Sequence, residues 1–229
     1  LLYCDNSPYG SGTVNKVLKN AEKLRRYSLG EEVRVYTIKY GQYLEYVIKN
    51  APPRMTCVLC KSGMYQSAEL LARREKAKAI VDGSSIGQVA SQTLDNINAS
   101  RYHCKLPIFS PLISLDKLEI ESIAKEIGTY EISIIPDGGC GAVPKYPETH
   151  ADLEFTKKVI ENINQKDILQ QVSESIEIIN KDDTMTVKEK ALERVRELLN
   201  YNDVNFDNIG RITVKCQSNR FAKFRYLFL

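Results

Sequence analysis

The chain has 229 residues, of which 43% are hydrophobic and 27% are charged, and its net charge is +3. This composition excludes a disordered or collagen-like chain, and no apolar run approaches the roughly 20 residues of a transmembrane helix. Six cysteines are too few for a disulfide-stabilised scaffold, so we expect a cytoplasmic protein without a membrane partner.

The first half of the chain alternates between apolar strands and amphipathic helices. Leu1–Cys4 has the pattern of a strand already in progress, so we expect a part before Leu1 to be missing or unseen. Further strands are predicted at 33–38, 55–60, 79–81 and 106–109, and helices at 13–27, 42–49, 62–76, 87–96 and 114–127. This alternation predicts an α/β fold with a mostly parallel sheet covered by helices.

The helix predicted at 114–127 begins in the segment Ser114-Leu115-Asp116-Lys117. Its apolar positions share one face and are expected to point inward: Leu118, Ile120, Ile123 and Ala124. Gly128 is expected to end the helix, because glycine readily adopts the left-handed conformation found after helix C-termini.

The character of the sequence changes beyond residue 150. Residues 151–205 carry many charges of both signs, and helices are predicted from about Ala151 to Lys158 and from about Val187 to Leu199. The last 20 residues alternate like a β-hairpin and contain five basic residues and no acidic one. We therefore divide the chain into a domain at 1–150 and a helical C-terminal extension at 151–229 that ends in a basic hairpin.

Three polar loops, 5–12, 82–92 and 137–145, follow predicted strands. Ligands of open α/β sheets bind outside the carboxyl ends of the strands, so we expect these loops and the segment 55–60 to converge on one rim. The loop from Gly83 to Gln88 has small residues followed by helix-compatible sequence, which suits anion binding at free backbone N–H groups. Most loops of this kind bind nothing, so this pattern alone is a weak signal.

Three cysteines are candidate metal ligands. Cys57 and Cys60 form a C-x-x-C pair that can share one metal ion, although two buried apolar cysteines would have the same spacing. Cys140 lies between glycines that permit close backbone approach. If the three thiolates meet, they suit an iron–sulfur cluster with one open iron, with zinc as the competitor. The remaining cysteines are interpreted as packing groups: Cys4, Cys104 and Cys216.

The basic tail has two interpretations. The stretch Arg220–Tyr226 mixes cations with aromatic rings, as RNA-binding surfaces do. The same alternation fits an edge hairpin whose aromatic side chains point inward.

Four segments, in this order, resemble the tRNA 4-thiouridine synthetase family (ThiI). They are 55–61 (MTCVLCK), 83–94 (GSSIGQVASQTL), 127–133 (IGTYEIS) and 136–147 (PDGGCGAVPKYP). The resemblance covers about residues 1–150 and is most specific in the second segment. It implies a Rossmann-like PP-loop ATPase domain of the adenine nucleotide alpha hydrolase-like class.

The resemblance also implies a reaction. ATP, with Mg²⁺, would adenylate the uridine at position 8 of a tRNA, and sulfur would then displace AMP to give 4-thiouridine. The sulfur donor would be sulfide or a cysteine desulfurase. The resemblance is also compatible with a homodimer.

Several residues match functional positions of the family. Gly83 and Gln92 match nucleotide-binding positions, and Lys61 falls where the family usually has a nucleotide-binding arginine. Tyr3 and Cys4 match the end of the strand that flanks the adenine. Cys140 matches the sulfur-handling cysteine of the family, and the candidate metal ligands Cys57, Cys60 and Cys140 resemble the archaeal-type set that holds an iron–sulfur cluster.

The sequence also departs from the family. The SGGxDS pyrophosphate-binding loop would lie one strand–helix unit before Leu1, and a THUMP-type tRNA-binding domain is expected upstream. Ser62 and Gln66 stand where the family often has arginines. Two alternatives therefore stay open: an inactive paralogue that binds tRNA or nucleotide without catalysis, and a structural metal-binding domain.

Overall fold

Strands and helices alternate along the molecule, as the sequence predicts. A computed structural model describes residues 1–10, 14–28, 33–179 and 226–228. The strands are β1 (Leu2–Cys4), β2 (Tyr36–Ile38), β3 (Ala79–Val81), β4 (Ile108–Phe109), β5 (Glu177–Ile178) and β6 (Tyr226–Phe228). The helices are α1 (Val14–Leu24), α2 (Gly41–Asn50), α3 (Thr56–Arg74), α4 (Leu94–Arg101), α5 (Lys117–Glu126), α6 (Tyr130–Ser133), α7 (Leu153–Asn162) and α8 (Gln165–Ser173). Turns of 3-10 helix lie at Arg25–Tyr27, Pro53–Met55 and Ala90–Gln92.

The described strands form two small sheets in which parallel pairing dominates. In the first sheet, β1 pairs parallel with β2, and β2 pairs antiparallel with β5. In the second sheet, β3 lies between β4 and β6 and is parallel to both. The carboxyl ends of β1 and β3, after which the loops 5–10 and 82–92 begin, therefore carry the candidate site.

Helix α3 is the centre of the packing. It contacts α2, α4, α8 and β3, and its buried face includes Val58, Leu59, Ala68 and Leu71. Helices α7 and α8 add buried apolar side chains to the same core: Val159, Ile160, Leu169 and Val172. The buried amide of Gln165 on α8 hydrogen bonds to Tyr43 on α2 and to Ser62 on α3. These helices follow residue 150, where the sequence predicts a boundary, yet they complete the core of the preceding residues.

The strand predicted at 55–60 is wrong. Residues Pro53–Met55 form a 3-10 turn, and α3 begins directly afterwards at Thr56. A short apolar run such as Met55–Cys60 fits a buried strand and a buried helix equally well. Pro53 lies at the start of the 3-10 turn, a position where proline favours helix initiation. Helix α3 then extends unbroken through most of the region 62–76, which the sequence assigns to a separate helix.

Helix α5 confirms its predicted ends but not its predicted face. Asp116 and Glu119 form a capping box, in which each side chain accepts the backbone N–H of the other. Gly128 has a φ of 77°, as expected of a residue that ends a helix. Leu118, however, is 75% exposed and Ile123 is 39% exposed. No residue of α5 is buried in the described core.

Three expectations fall wholly or partly outside the described residues. They are the first residue of the helix predicted at 13–27, the helix at Val187–Leu199 and the hairpin in the last 20 residues, of which only the backbone of β6 is described. Within the described residues, no helix is long and apolar enough to cross a membrane.

Candidate active site

The loop that follows β1 is anchored to the start of α2. The backbone N–H of Gly41 donates to the carbonyl of Asp5, at 2.8 Å. A Cβ atom at Gly41 would lie 1.8 Å from the carbonyl oxygen of Ser7, so glycine is required here for the close approach. Within the loop, the Asp5 carboxylate accepts the Ser7 hydroxyl and backbone N–H, at 2.8 and 3.1 Å. These contacts hold loop 5–10 in one conformation.

The same loop meets the segment that carries Cys140. Gly141 donates its backbone N–H to the carbonyl of Tyr9, at 2.5 Å, and the side-chain amide of Asn6 lies 3.8 Å from the Cys140 sulfur. From the other side, Lys16 on α1 donates to the Ile135 carbonyl at 2.7 Å and to Asp137 at 2.9 Å. We call this group the Cys140 rim: Asn6, Tyr9, Lys16, Asp137, Cys140 and Gly141. Two loops that the sequence expects on one rim thus lie in contact.

Cys57 and Cys60 lie on neighbouring turns of α3, at its start. The Tyr40 hydroxyl donates to the carbonyl of Cys60, at 2.5 Å, and a Cβ at Gly63 would press against the rings of Tyr40 and Tyr43. The absence of a side chain at Gly63 therefore lets α2 approach α3 closely. This packing fixes the C-x-x-C turn relative to loop 5–10.

Electrostatic interactions connect four cysteines. Burial raises the pKa of Cys57, and the neighbouring Cys140 charge raises it further. Burial, together with Cys4, Cys140 and Cys57, raises the pKa of the Cys60 thiol far above its ordinary value. Burial raises the pKa of Cys4 to about 12, although the charge of Lys61 opposes the shift. Cys4, interpreted above as a packing group, is thus a neighbour of the candidate metal ligands.

The donor chemistry of Cys57, Cys60 and Cys140 fits a thiophilic metal, because soft thiolates are the ligands of iron–sulfur clusters and of many zinc sites. Their arrangement is not yet a metal site. Among the described residues, no group of three or more His, Cys, Asp or Glu side chains is placed so that it could hold a metal ion. Cys140 is exposed, and Cys57 and Cys60 are half-buried.

A buried acidic residue organises the opposite side of the site. The Asp82 carboxylate, after β3, accepts hydrogen bonds from the hydroxyls of Tyr65, Ser84 and Ser110 and from the Arg101 guanidinium, the last at 3.1 Å. We call these groups, with Lys61, the Asp82 network: Lys61, Tyr65, Asp82, Ser84, Arg101 and Ser110. Burial raises the pKa of Asp82, but these hydrogen bonds and the charge of Lys61 outweigh burial and lower it to about 2.

Lys61 belongs to this network and also interacts electrostatically with Cys60 and Cys4. Its ammonium is 3.9 Å from Asp82 and 5.2 Å from the centre of the Tyr65 ring. Burial lowers the pKa of Lys61, and Asp82 opposes that shift. Because Asp82 already accepts closer hydrogen bonds from other groups, the Lys61 ammonium keeps donors for an anionic ligand.

The loop from Gly83 to Gln92 has room for a ligand. A Cβ at Gly83 would have no atom within 4 Å. The loop closes on itself, since the Gly87 backbone N–H donates to the carbonyl of Gln92 at 3.0 Å. The side-chain oxygen of Gln92 is buried, and among the described residues it has no hydrogen-bond partner. A buried polar atom without a partner is uncommon and fits a donor group on a bound nucleotide.

The residues that connect these segments carry no signal in the sequence. Asn6, Lys16, Tyr65, Arg101 and Ser110 have no motif of their own. Lys16 and Asp137 are 121 positions apart, and Arg101 follows Asp82 by 19, so no local pattern could pair them. Tyr3 and Cys4 lie at the end of β1, where the resemblance expects them.

The family model described as the thiamine biosynthesis protein ThiI matches residues 1–165, well over half of this chain. The chain belongs to the ThiI family. Probable tRNA sulfurtransferases of Methanobrevibacter smithii and Methanothermobacter thermautotrophicus are 51% and 53% identical to it over 177 and 172 residues. The matched regions cover 77% and 75% of this chain but 46% and 44% of the two relatives, so the chain spans less than half the length of these ThiI-family proteins.

A solved structure of the ThiI family agrees with this assignment. A 4-thiouridine synthetase, in complex with RNA and with bound ATP, matches 78% of this chain with a TM-score of 0.74 and 31% sequence identity, and the match covers 47% of that protein. The predicted family and the predicted Rossmann-like PP-loop ATPase fold are thereby confirmed. The individual site residues taken from the resemblance stay predictions.

Proposed function

We propose that this chain is part of an ATP-dependent tRNA sulfurtransferase that makes 4-thiouridine at position 8 of tRNA. One observation carries the proposal: the Cys140 segment lies against loop 5–10, beside α3, in a chain of the ThiI family. A nucleophile-bearing loop, a half-buried cation and open space beside a glycine loop are parts that adenylation followed by sulfur transfer needs. Such an enzyme would act in the cytoplasm, where its tRNA substrate occurs.

The reaction balances in two steps. The O4 atom of the uridine attacks the α-phosphorus of ATP, and pyrophosphate leaves. A sulfide equivalent then attacks C4, the C4–O bond breaks, and AMP leaves with the oxygen. The sulfide would be free sulfide, or it would come from a cysteine desulfurase whose persulfide is reduced by two electrons from an external thiol.

The nucleotide side of the site would bind and orient ATP. Gly83 allows the loop backbone to approach a phosphate, the buried Gln92 oxygen would accept a hydrogen bond from the nucleotide, and Lys61 would stabilise negative charge on the α-phosphate. Tyr3 and Cys4, at the end of β1, would flank the adenine. Mg²⁺ would accompany the triphosphate.

The sulfur side would be formed by the cysteines. Cys140 would present sulfur to the adenylated uridine, and Cys57, Cys60 and Cys140 together would hold an iron–sulfur cluster, with zinc as the alternative. A cluster with one open iron would supply a binding position for hydrosulfide. The contacts of Asn6, Tyr9 and Lys16 would hold the Cys140 segment next to α3 while sulfur is transferred.

Cys140→Ala tests the proposal, with Cys104→Ala as the matched control on a cysteine outside the site. Both are prepared in the full-length protein under anaerobic conditions, and 4-thiouridine in tRNA is measured together with AMP release. We expect Cys140→Ala to lose thiolation and the iron–sulfur absorption band, and Cys104→Ala to keep both. Thiolation by Cys140→Ala at the rate of the unmodified enzyme would contradict the role of Cys140, and bound zinc in place of iron would contradict the cluster.

One observation favours the inactive-paralogue alternative. Ser62, in place of a family arginine, is buried and accepts hydrogen bonds from Gln66 and Gln165, both at 3.2 Å. These two substituted positions therefore bring no positive charge to the site. Binding of ATP without release of AMP in the presence of tRNA would identify such a paralogue.

A further inference from the structure

Positive charge is concentrated on α1 and the 3-10 turn that follows it. Between Val14 and Tyr27 there are five basic side chains and one acidic side chain. The net charge of this short segment is therefore larger than the net charge of +3 of the whole chain. Lys16, Lys19, Lys23 and Arg26 are spaced by three, four and three residues, which places them on one helix face. Lys19, Lys23 and Arg26 are exposed, and we call these three the basic stripe.

The basic stripe differs from several cations of other helices that do have acidic partners. Four of those cations pair with an acidic residue three or four positions away: Lys49 with Glu45, Arg73 with Glu69, Lys117 with Glu121 and Lys157 with Glu154. Among the described residues, Lys19, Lys23 and Arg26 form no ion pair, although Glu22 precedes Arg26 by one turn. Their charge is therefore available to an external polyanion.

The basic stripe borders the candidate active site. Lys16, on the same face, donates to Ile135 and Asp137 at the base of the Cys140 segment. One turn further, the amide of Asn20 lies 3.4 Å from the Ser133 hydroxyl and fixes α1 against α6. The stripe therefore starts one turn beyond the Cys140 rim and continues away from it.

The dimensions of the stripe suit a nucleic acid strand. From Lys19 to Arg26 the helix rises by about 10 Å, at ~1.5 Å per residue. A duplex strand carries one phosphate every ~3.4 Å along its axis, so three cations over this length match about three phosphates. The apolar residues of α1 face the protein, where Ala21 is buried, so α1 does not offer a membrane the exposed apolar face of an interfacial helix.

We propose that the basic stripe binds the phosphate backbone of the RNA whose uridine is brought to the Cys140 rim. This inference rests on the proposed function, since it takes tRNA as the substrate. The stripe carries no base-reading geometry, so it positions the RNA without selecting its sequence. Phosphate contacts that start one helical turn beyond the Cys140 rim would hold the RNA while the target base reaches Cys140.

The test removes three charges from the stripe in Lys19→Gln/Lys23→Gln/Arg26→Gln. The matched control removes two lysines and one arginine that have acidic partners, in Lys49→Gln/Arg73→Gln/Lys117→Gln. The affinity for an unmodified tRNA transcript is measured at several salt concentrations, and binding to vesicles of anionic phospholipid is measured in parallel. Circular dichroism verifies that both variants are folded.

We expect the stripe variant to bind tRNA about tenfold more weakly and to lose roughly 2–3 from the slope of log affinity against log salt, because each phosphate contact contributes about 0.7–0.9. The control is expected to stay close to the unmodified chain in affinity and slope, and both variants should keep their affinity for ATP. Equal tRNA affinity of stripe variant and control would overturn the proposal, as would loss of vesicle binding alone.

The outcome is separate from that of the Cys140 test. If Cys140→Ala still thiolates tRNA while the stripe variant binds tRNA weakly, the proposed role of Cys140 fails and the RNA surface stands. If the stripe variant binds normally while Cys140→Ala is inactive, only the RNA surface is refuted.

Discussion

The Asp82 network and the Cys140 rim lie on two sides of the candidate site and are built in different ways. Asp82 is buried and accepts hydrogen bonds from Tyr65, Ser84, Ser110 and Arg101. Cys140 is exposed and depends on a few contacts between segments far apart in the chain, such as that of Asn6. The Asp82 network is therefore part of the buried core, whereas the Cys140 rim lies at the surface.

The largest difference between the two sides is expected on removal of Asp82. Asp82→Ala leaves the Arg101 charge and several hydroxyls without their buried acceptor, which typically costs about 3–5 kcal/mol. The free energy of unfolding in urea measures the loss. Asp95→Ala is the control, because the exposed pair of Asp95 with His150 contributes about 0–1 kcal/mol at most. Equal stability of the two variants would contradict a structural role for the network.

A smaller but still steric effect is expected where loop 5–10 is anchored. Gly41→Ala would place a Cβ 1.8 Å from the Ser7 carbonyl oxygen, so the loop must shift, at a cost of about 1–3 kcal/mol. Thermal unfolding measures the cost, and faster alkylation of Cys140 would report the loosened loop. Gly83→Ala is the matched control, since a Cβ there meets no atom within 4 Å. An unchanged melting temperature for Gly41→Ala would show that the loop adapts without strain.

The difference between contacts of chain neighbours and contacts of distant segments also explains which features the sequence could predict. The capping box of Asp116 and Glu119 and the stop at Gly128 depend on neighbours in the chain, and both predicted helix ends are confirmed. The assignment of Met55–Cys60 as a strand is wrong, because a mostly apolar run of six residues does not distinguish a buried strand from the start of α3. Fold class follows from many local patterns together, so single errors of this kind do not alter it.

The candidate site could be predicted only in part, because its contacts are tertiary. The sequence marks Cys140 and Gly83 through loop composition and family resemblance. It gives no sign that Lys16 bonds to Asp137 or that Arg101 bonds to Asp82, because these pairs form only when the helices pack. The basic stripe on α1 and the following 3-10 turn is not evident from the sequence either, since its meaning depends on which cations have acidic partners after folding.

Acid should weaken the Asp82 network. The hydrogen bonds of Ser110, Tyr65 and Ser84 hold the pKa of Asp82 at about 2, below its ordinary value of 3.8. A group whose pKa is lowered by folding contributes stability above the ordinary pKa and loses it as the pH falls through the folded value. We therefore expect the free energy of unfolding to fall between about pH 4 and pH 2, with a shallower fall in Asp82→Asn. Identical pH profiles would contradict this assignment.

The smallest effect is expected in the Cys140 rim, at Asn6. Its side-chain amide lies 3.8 Å from the Cys140 sulfur, a weak contact because sulfur is a poor acceptor. Asn6→Ala should change the rate at which Cys140 is alkylated by about threefold. This factor corresponds to a free energy near the lower end of the range for ordinary hydrogen bonds. Stability should stay the same, because the contact is exposed.

Gly10 provides an independent way to disturb the same contact. A Cβ at Gly10 would lie 2.6 Å from the Asn6 side-chain oxygen, so Gly10→Ala should turn the amide away from Cys140 without removing it. Because both changes break one contact, the double variant should alkylate no differently from either single variant, whereas independent effects would add. Asn50→Ala, whose amide bonds to the distant Tyr46 carbonyl, should leave the rate unchanged. Additive effects of the two changes would show that Asn6 does not act on Cys140 through this contact.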